Sequence, residues 1–198
     1  MRSYTPQDCD QIGYGISLKN KVVVLPRSVL PEDHLGQLFF CIGGNGANPN
    51  PIGQFVFLVS LATGEQCRFR RSDVVGTLKP ELLPDDARLQ LSQIRPSDAN
   101  NLSNHEPLYS GYSFLEDGRY ASGVWLCSPE EVWNYVEMQK PYQHRVLICD
   151  REDFAVMEAQ KGQIIYPDKQ TMEEFISRQK HDGATETNDL NAQSMLKW

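Results

Sequence analysis

The sequence predicts an α+β protein built mainly from antiparallel strands and hairpins, with about three helices. Three observations carry that prediction. Short apolar runs rich in Val, Ile, Phe and Tyr recur along the chain and are cut by Gly, Pro, Asn and Asp. Two of those cuts, Ala62-Thr63-Gly64-Glu65 and Asp117-Gly118, join strand-like segments at hairpin length. Helix signatures are few: one between Pro84 and Pro96, one between Ser128 and Pro141, and one over Lys169–Lys180.

Taken in order, residues 1–15 form a weakly patterned lead-in, and Lys21–Leu25 reads as a strand stopped by Pro26. Leu35–Ile42 is the next strand. Its unbroken run Leu38-Phe39-Phe40-Cys41-Ile42 predicts burial on both faces, because a half-exposed strand would alternate. Residues 43–53 (GGNGANPNPIG) admit neither helix nor strand. Glycine and asparagine favour positive φ there, and the two prolines remove amide donors. Gln54–Leu61 and Gln66–Arg70 then make a hairpin. In its second strand Cys67 and Phe69 face inward while Gln66, Arg68 and Arg70 face water.

Pro84 opens a helix with Asp85 and Asp86 in its first turn, and Leu89 and Ile94 are the expected core contacts. Tyr109–Leu115 and Arg119–Cys127 form a second hairpin, for which Asp117-Gly118 predicts a type I′ turn. Ser128, Pro129 and Glu131 predict a capped helix start with a reciprocal capping box. Val132, Tyr135, Val136 and Gln139 share one face of that helix, with Trp133 beside it. His144–Cys149 is a strand. Residues 150–162 fit both periods, and the strand reading, Phe154–Glu158 turning at Lys161-Gly162 into Gln163–Tyr166, is preferred. The last helix buries Met172, Phe175 and Ile176.

At 198 residues the chain has room for one large domain or two small ones. The polar, turn-rich segment 96–107 divides it into a β-rich subdomain with one helix (1–95) and an α+β subdomain (108–180), followed by a polar tail (181–198). A hydrophobic fraction of 40% is enough to build a sizeable core. The net charge of −7 is uneven: residues 1–100 balance ten Lys/Arg against ten Asp/Glu, whereas 101–198 carry nine against sixteen. Such a second half is ill suited to wrapping a nucleic-acid backbone. It can instead imitate nucleic-acid charge on a basic partner. No apolar run approaches the roughly twenty residues of a membrane span, and the N-terminus lacks the order of a signal peptide, so a cytoplasmic protein is expected.

The five cysteines are scattered without a C-x-x-C pair and read as reduced core thiols; the four histidines show no zinc spacing. No metal or other cofactor is expected. Asp150-Arg151-Glu152-Asp153 lacks the glycine and distal glutamate of a calcium loop and reads as a charged turn. Neither G-x-S-x-G nor H-E-x-x-H occurs, although a catalytic set drawn from distant residues would leave no such trace.

Two features point to binding. The first is the glycine-rich loop, with Gly44, Asn45, Gly46 and Asn48. Pro49 and Pro51 stand where a phosphate-binding helix would begin, which removes the dinucleotide and Walker motifs and leaves an anion nest or a protein-contact loop. The second is Arg68-Phe69-Arg70-Arg71. Arg68 and Arg70 are about 7 Å apart on one face of a strand, a spacing that suits phosphates or a partner's carboxylates.

The stretch over residues 38–78 also resembles a segment of small uncharacterised accessory proteins of mobile elements (plasmids, conjugative elements and phages) in gut Firmicutes. The residues that carry the likeness are Gly43, Gly44, Gly46, Ala47 and Pro49, then Thr63-Gly64-Glu65, then Arg68, Arg71, Asp73, Val74 and Gly76. The resemblance brings no activity, only a setting. The leading expectation is a non-enzymatic binding protein acting through protein–protein contact. A phosphate-ligand module, for nucleotide or nucleic acid, built on the loop with Arg68, Arg70 and Arg71 is the alternative, and an enzyme with no recognisable motif is the third.

Overall fold

A computed structural model of the chain describes residues 2–13, 16–34, 36–44, 54–96, 106–167 and 171. The first half supplies strands β1 (Cys9–Asp10), β2 (Val22–Val24), β3 (Leu38–Gly44), β4 (Phe55–Ser60), β5 (Gln66–Arg70) and β6 (Gly76–Leu78), then helix α1 (Asp85–Ser92). The second half supplies β7 (Tyr109–Phe114), β8 (Val124–Leu126), helix α2 (Pro129–Gln139), β9 (Arg145–Cys149), β10 (Ala155–Gln160) and β11 (Gln163–Tyr166). The strands form a six-stranded sheet in the order β1-β6-β2-β3-β4-β5 and a five-stranded sheet in the order β11-β10-β9-β7-β8. Every neighbouring pair is antiparallel, as the hairpin-rich sequence requires. The α+β class is therefore the observed one. Among the described residues there are two α-helices; the helix expected over Lys169–Lys180 lies, except for Thr171, outside them. No described helix is long and apolar enough to cross a membrane.

The central strands explain the unbroken apolar runs. Val22, Val24, Leu38 and Phe40 point into the larger buried cluster, and Val23, Leu25, Phe39 and Cys41 into the smaller one on the opposite face of the same sheet. The larger cluster draws on both sheets and both helices, with Leu91, Leu126, Tyr135, Val136 and Ile148 packed against the β2–β3 face. A polar link crosses it: the Val22 amide donates to the Tyr142 hydroxyl over 3.0 Å in a buried setting. Burial pushes the Tyr142 phenol above its ordinary range, and the bond to Val22 works against that push.

Helix α1 starts one residue after Pro84, with Asp85 and Asp86 in the first turn, where the positive end of the helix dipole favours them. Its buried stripe is Ala87 and Leu91, with Ser92, and not Leu89, which is only half-buried. The i, i+4 pair that points inward is set by Ala87, and Ile94, just past the helix end at Ser92, packs partly buried against the larger cluster as expected. Helix α2 begins as expected: the Ser128 hydroxyl accepts from the Glu131 amide, and Val132, Tyr135, Val136 and Gln139 are buried. The capping box is only half formed. The Glu131 carboxylate passes the cap residue to accept the Cys127 amide and to meet Arg95 at 3.2 Å.

The second hairpin has the expected partners, with Tyr109 opposite Leu126 and Phe114 bridged to Tyr120. Its turn is not type I′, which needs positive φ at both central residues. Only Gly118 has it, at +83°, and the Gly118 amide donates to Leu115 while the Leu115 amide donates to Arg119. This is the three-residue loop Glu116-Asp117-Gly118, a type I turn closed by a glycine bulge. The preferred strand reading of 150–162 holds, as β10 turning at Lys161 and Gly162 into β11.

Candidate functional site

The hairpin β4–β5 forms the end of the six-stranded sheet, and β5 is its edge strand. Alternation along β5 leaves Gln66, Arg68 and Arg70 exposed and Cys67 and Phe69 half-buried. Phe55 lies opposite Arg70, and Phe57 opposite Arg68. The Arg68 guanidinium sits 4.9 Å from the Phe55 ring centroid, a cation–π contact. Phe57 is 46% exposed, which is unusual for phenylalanine in a central register of a strand. Among the described residues neither Arg68 nor Arg70 is in an ion pair. The two arginines are thus on one outward face, beside the rings of Phe55 and Phe57 on the neighbouring strand.

Arg71 does something else. It begins the turn that follows β5, and its guanidinium donates to the carbonyl oxygens of Ile16 at 2.7 Å and Gly13 at 3.3 Å. It lines a cleft of about 390 Å³ together with Lys19, Cys41, Gly43, Gly44 and Val56. Cys41 and Val56 belong to the buried face opposite Arg68 and Arg70. The three arginines therefore do not converge. A run of sequence neighbours in a strand is split by the pleat, and Arg71 is drawn off by the backbone carbonyls of Gly13 and Ile16.

The glycine loop begins later than its composition indicates. Strand β3 runs through Gly43 and Gly44, with a bulge at Ile42 where the register to β4 slips. A Cβ on Gly44 would stand 2.4 Å from the Phe55 carbonyl oxygen and 3.2 Å from the Val56 Cα. Gly44 is required for the close approach of two backbones. We expect Gly44→Ala to cost about 2 kcal/mol or more by prising β3 from β4, read as a lower urea midpoint; an unchanged midpoint would remove this account. Asn45, Gly46 and Asn48 lie outside the described residues.

On the other face of β5 is a feature that sequence reading missed. A cleft of about 420 Å³ runs beside Cys67 and Phe69, walled by Leu30, Pro31, His34 and Phe39. The His34 ring stacks on Phe39 with centroids 5.3 Å apart, and Phe69 meets Phe39 edge-on at 5.8 Å. His34 Nε2 lies 3.4 Å from the Ser60 hydroxyl. That hydroxyl already accepts the Ala62 and Thr63 amides, so its lone pairs organise the β4–β5 turn. Burial raises the Cys67 thiol above its ordinary pKa, with Glu65 adding to the shift. A thiol shifted in that direction is a poor nucleophile. Leu30, Pro31 and His34 come from the turn between β2 and β3, some thirty positions upstream, for which the sequence carries no pairing signal.

The remaining features are structural. Asp150 accepts the amides of Glu152 and Phe154, which makes the acidic run a side-chain-stabilised turn. No group of His, Cys, Asp or Glu among the described residues is arranged to hold a metal ion. Comparison with known proteins returns no match: no family model, no curated protein and no solved structure matches the chain.

Proposed function

We propose that this protein is a non-enzymatic binding protein that works through protein–protein contact, with the exposed face of β4–β5 as the contact surface. The observation that supports this reading is the pairing of Arg68 and Arg70, without acidic partners among the described residues, with a half-exposed Phe57 on one face of the hairpin. Arginine beside an aromatic ring is the composition that dominates binding energy at protein interfaces. A solvated strand face built only for solubility has no use for Phe57. The partner surface that fits is acidic with an apolar centre. The setting implied by the resemblance, an accessory protein of a mobile element, makes a host or competing-element protein the expected partner.

The test compares wild type with Arg68→Ala/Arg70→Ala on the same matrix, exposed to the same gut Firmicute lysate. At least one protein is expected to be held by the wild type and released by the variant. Identical retention profiles would remove this reading.

A further inference from the structure

We propose that the partner enters as an extended segment that adds a seventh strand to the free edge of β5, with acidic and apolar residues alternating along it; this rests on the protein-contact reading of the β4–β5 face and specifies it.

The hydrogen-bond register opens the edge. The Ser60 amide donates to Glu65 and the Arg71 amide donates to Gln54, so residues 65, 67, 69 and 71 turn their backbone groups toward β4. By the alternation of an antiparallel ladder, Gln66 and Arg68 turn theirs outward. The Arg70 amide, next in that series, is taken by the Asp73 carboxylate at 3.3 Å, which closes one end of the open stretch. What remains is a short, defined run of donors and acceptors without partners among the described residues. It lies on the longest edge strand of the described fold: β1 has two residues, β8 three and β11 four, against five in β5. Edges of this kind are ordinarily blunted or covered.

The two faces beside that edge differ, and together they specify the occupant. Residues of an added strand that stand opposite Gln66, Arg68 and Arg70 meet two guanidiniums, with Phe57 behind them. Residues that stand opposite Cys67 and Phe69 meet the cleft walled by Leu30, His34 and Phe39. Backbone pairing then gives affinity, and the two faces read alternate side chains, acidic on one and apolar on the other. A second copy of β5 is the wrong occupant, since it would set arginines against arginines across the new pair.

Short random peptides displayed on phage are panned against the full chain, and the recovered sequences are synthesised. Alternating acidic and apolar residues are expected. Affinity should fall about tenfold or more with Arg68→Glu/Arg70→Glu, whose circular dichroism should match the wild type because both side chains are exposed. N-methylation of the peptide should abolish binding at every second amide and spare the amides between, because only alternate amides face β5. In amide exchange, Gln66 and Arg68 should become protected when peptide is added. Binders that lose affinity with the arginine substitutions yet ignore N-methylation would overturn strand addition and leave the contact reading standing. Recovery of no binder sensitive to the arginines, together with identical lysate profiles, would overturn both. Protection of Gln66 and Arg68 in the free full chain, lost on truncation after Pro167, would show that the protein's own C-terminal segment fills the edge and would also overturn the proposal.

Discussion

Tyr135→Ala is expected to leave the protein unfolded or nearly so at room temperature. Tyr135 is fully buried on α2, and its ring lies against Gly111 of β7, where even a Cβ would come within 2.8 Å of the ring. Truncating a large buried aromatic costs about 3–5 kcal/mol, a large share of the roughly 5–15 kcal/mol that holds a typical domain together. The hydroxyl adds a separate part. It donates to the Ser92 carbonyl at 2.8 Å and lies 3.2 Å from the Ser113 hydroxyl. Tyr135→Phe keeps the packing, leaves those two groups short of a partner, and should cost about 1–2 kcal/mol. Urea unfolding followed by circular dichroism separates the two variants. A Tyr135→Ala protein with a wild-type midpoint would contradict the placement of Tyr135 in the core.

Stability is expected to fall steeply between pH 10 and 12, and Tyr135 is the main single cause. Burial lifts its phenol from the ordinary 10.0 to about 12, and the hydrogen bond with Ser113 pulls slightly the other way. Between those values the folded chain keeps a proton that the unfolded chain gives up. The contribution is thus fully present below pH 10 and is lost as pH rises through the folded value, to the extent of about 2–3 kcal/mol. Four thiols act in the same direction from lower pH. Burial is the first cause of the raised values at Cys9, Cys41, Cys67 and Cys149, with nearby carboxylates adding to it at Cys9, Cys67 and Cys149. Urea midpoints measured across this range should drop in the wild type and drop less in Tyr135→Phe. Parallel curves for the two proteins would rule Tyr135 out as the cause.

Local pattern was enough wherever one short-range rule decides the outcome. The pleat put Arg68 and Arg70 on one wet face, and the unbroken run at 38–42 marked a strand covered on both sides. It fell short where a distant partner decides. Arg71 looks like a third member of a basic cluster until the carbonyls of Gly13 and Ile16, more than fifty residues away in sequence, claim its guanidinium. Glu131 reads as half of a capping box until Arg95 and the Cys127 amide compete for the same carboxylate. Gly44 reads as loop chemistry until Phe55 of the next strand closes on it. The cleft beside β5 was illegible for the same reason, since Leu30, Pro31 and His34 come from a turn that no periodicity ties to the hairpin.

Helix α1 is completed by residues made much later in the chain. It is eight residues long, too short to persist alone in water. Its last carbonyl, on Ser92, is met by the Tyr135 hydroxyl of α2; the Gln139 side-chain amide joins the Ile94 amide on the Leu91 carbonyl, and Gln143 reaches the Arg88 carbonyl. These contacts close loops of 43 to 55 residues. During synthesis α1 therefore leaves the ribosome with the Ser92 carbonyl bare and Leu91 uncovered, and waits for α2 before it can settle. The rate at which α1 acquires its structure should be set by that loop closure rather than by helix formation itself.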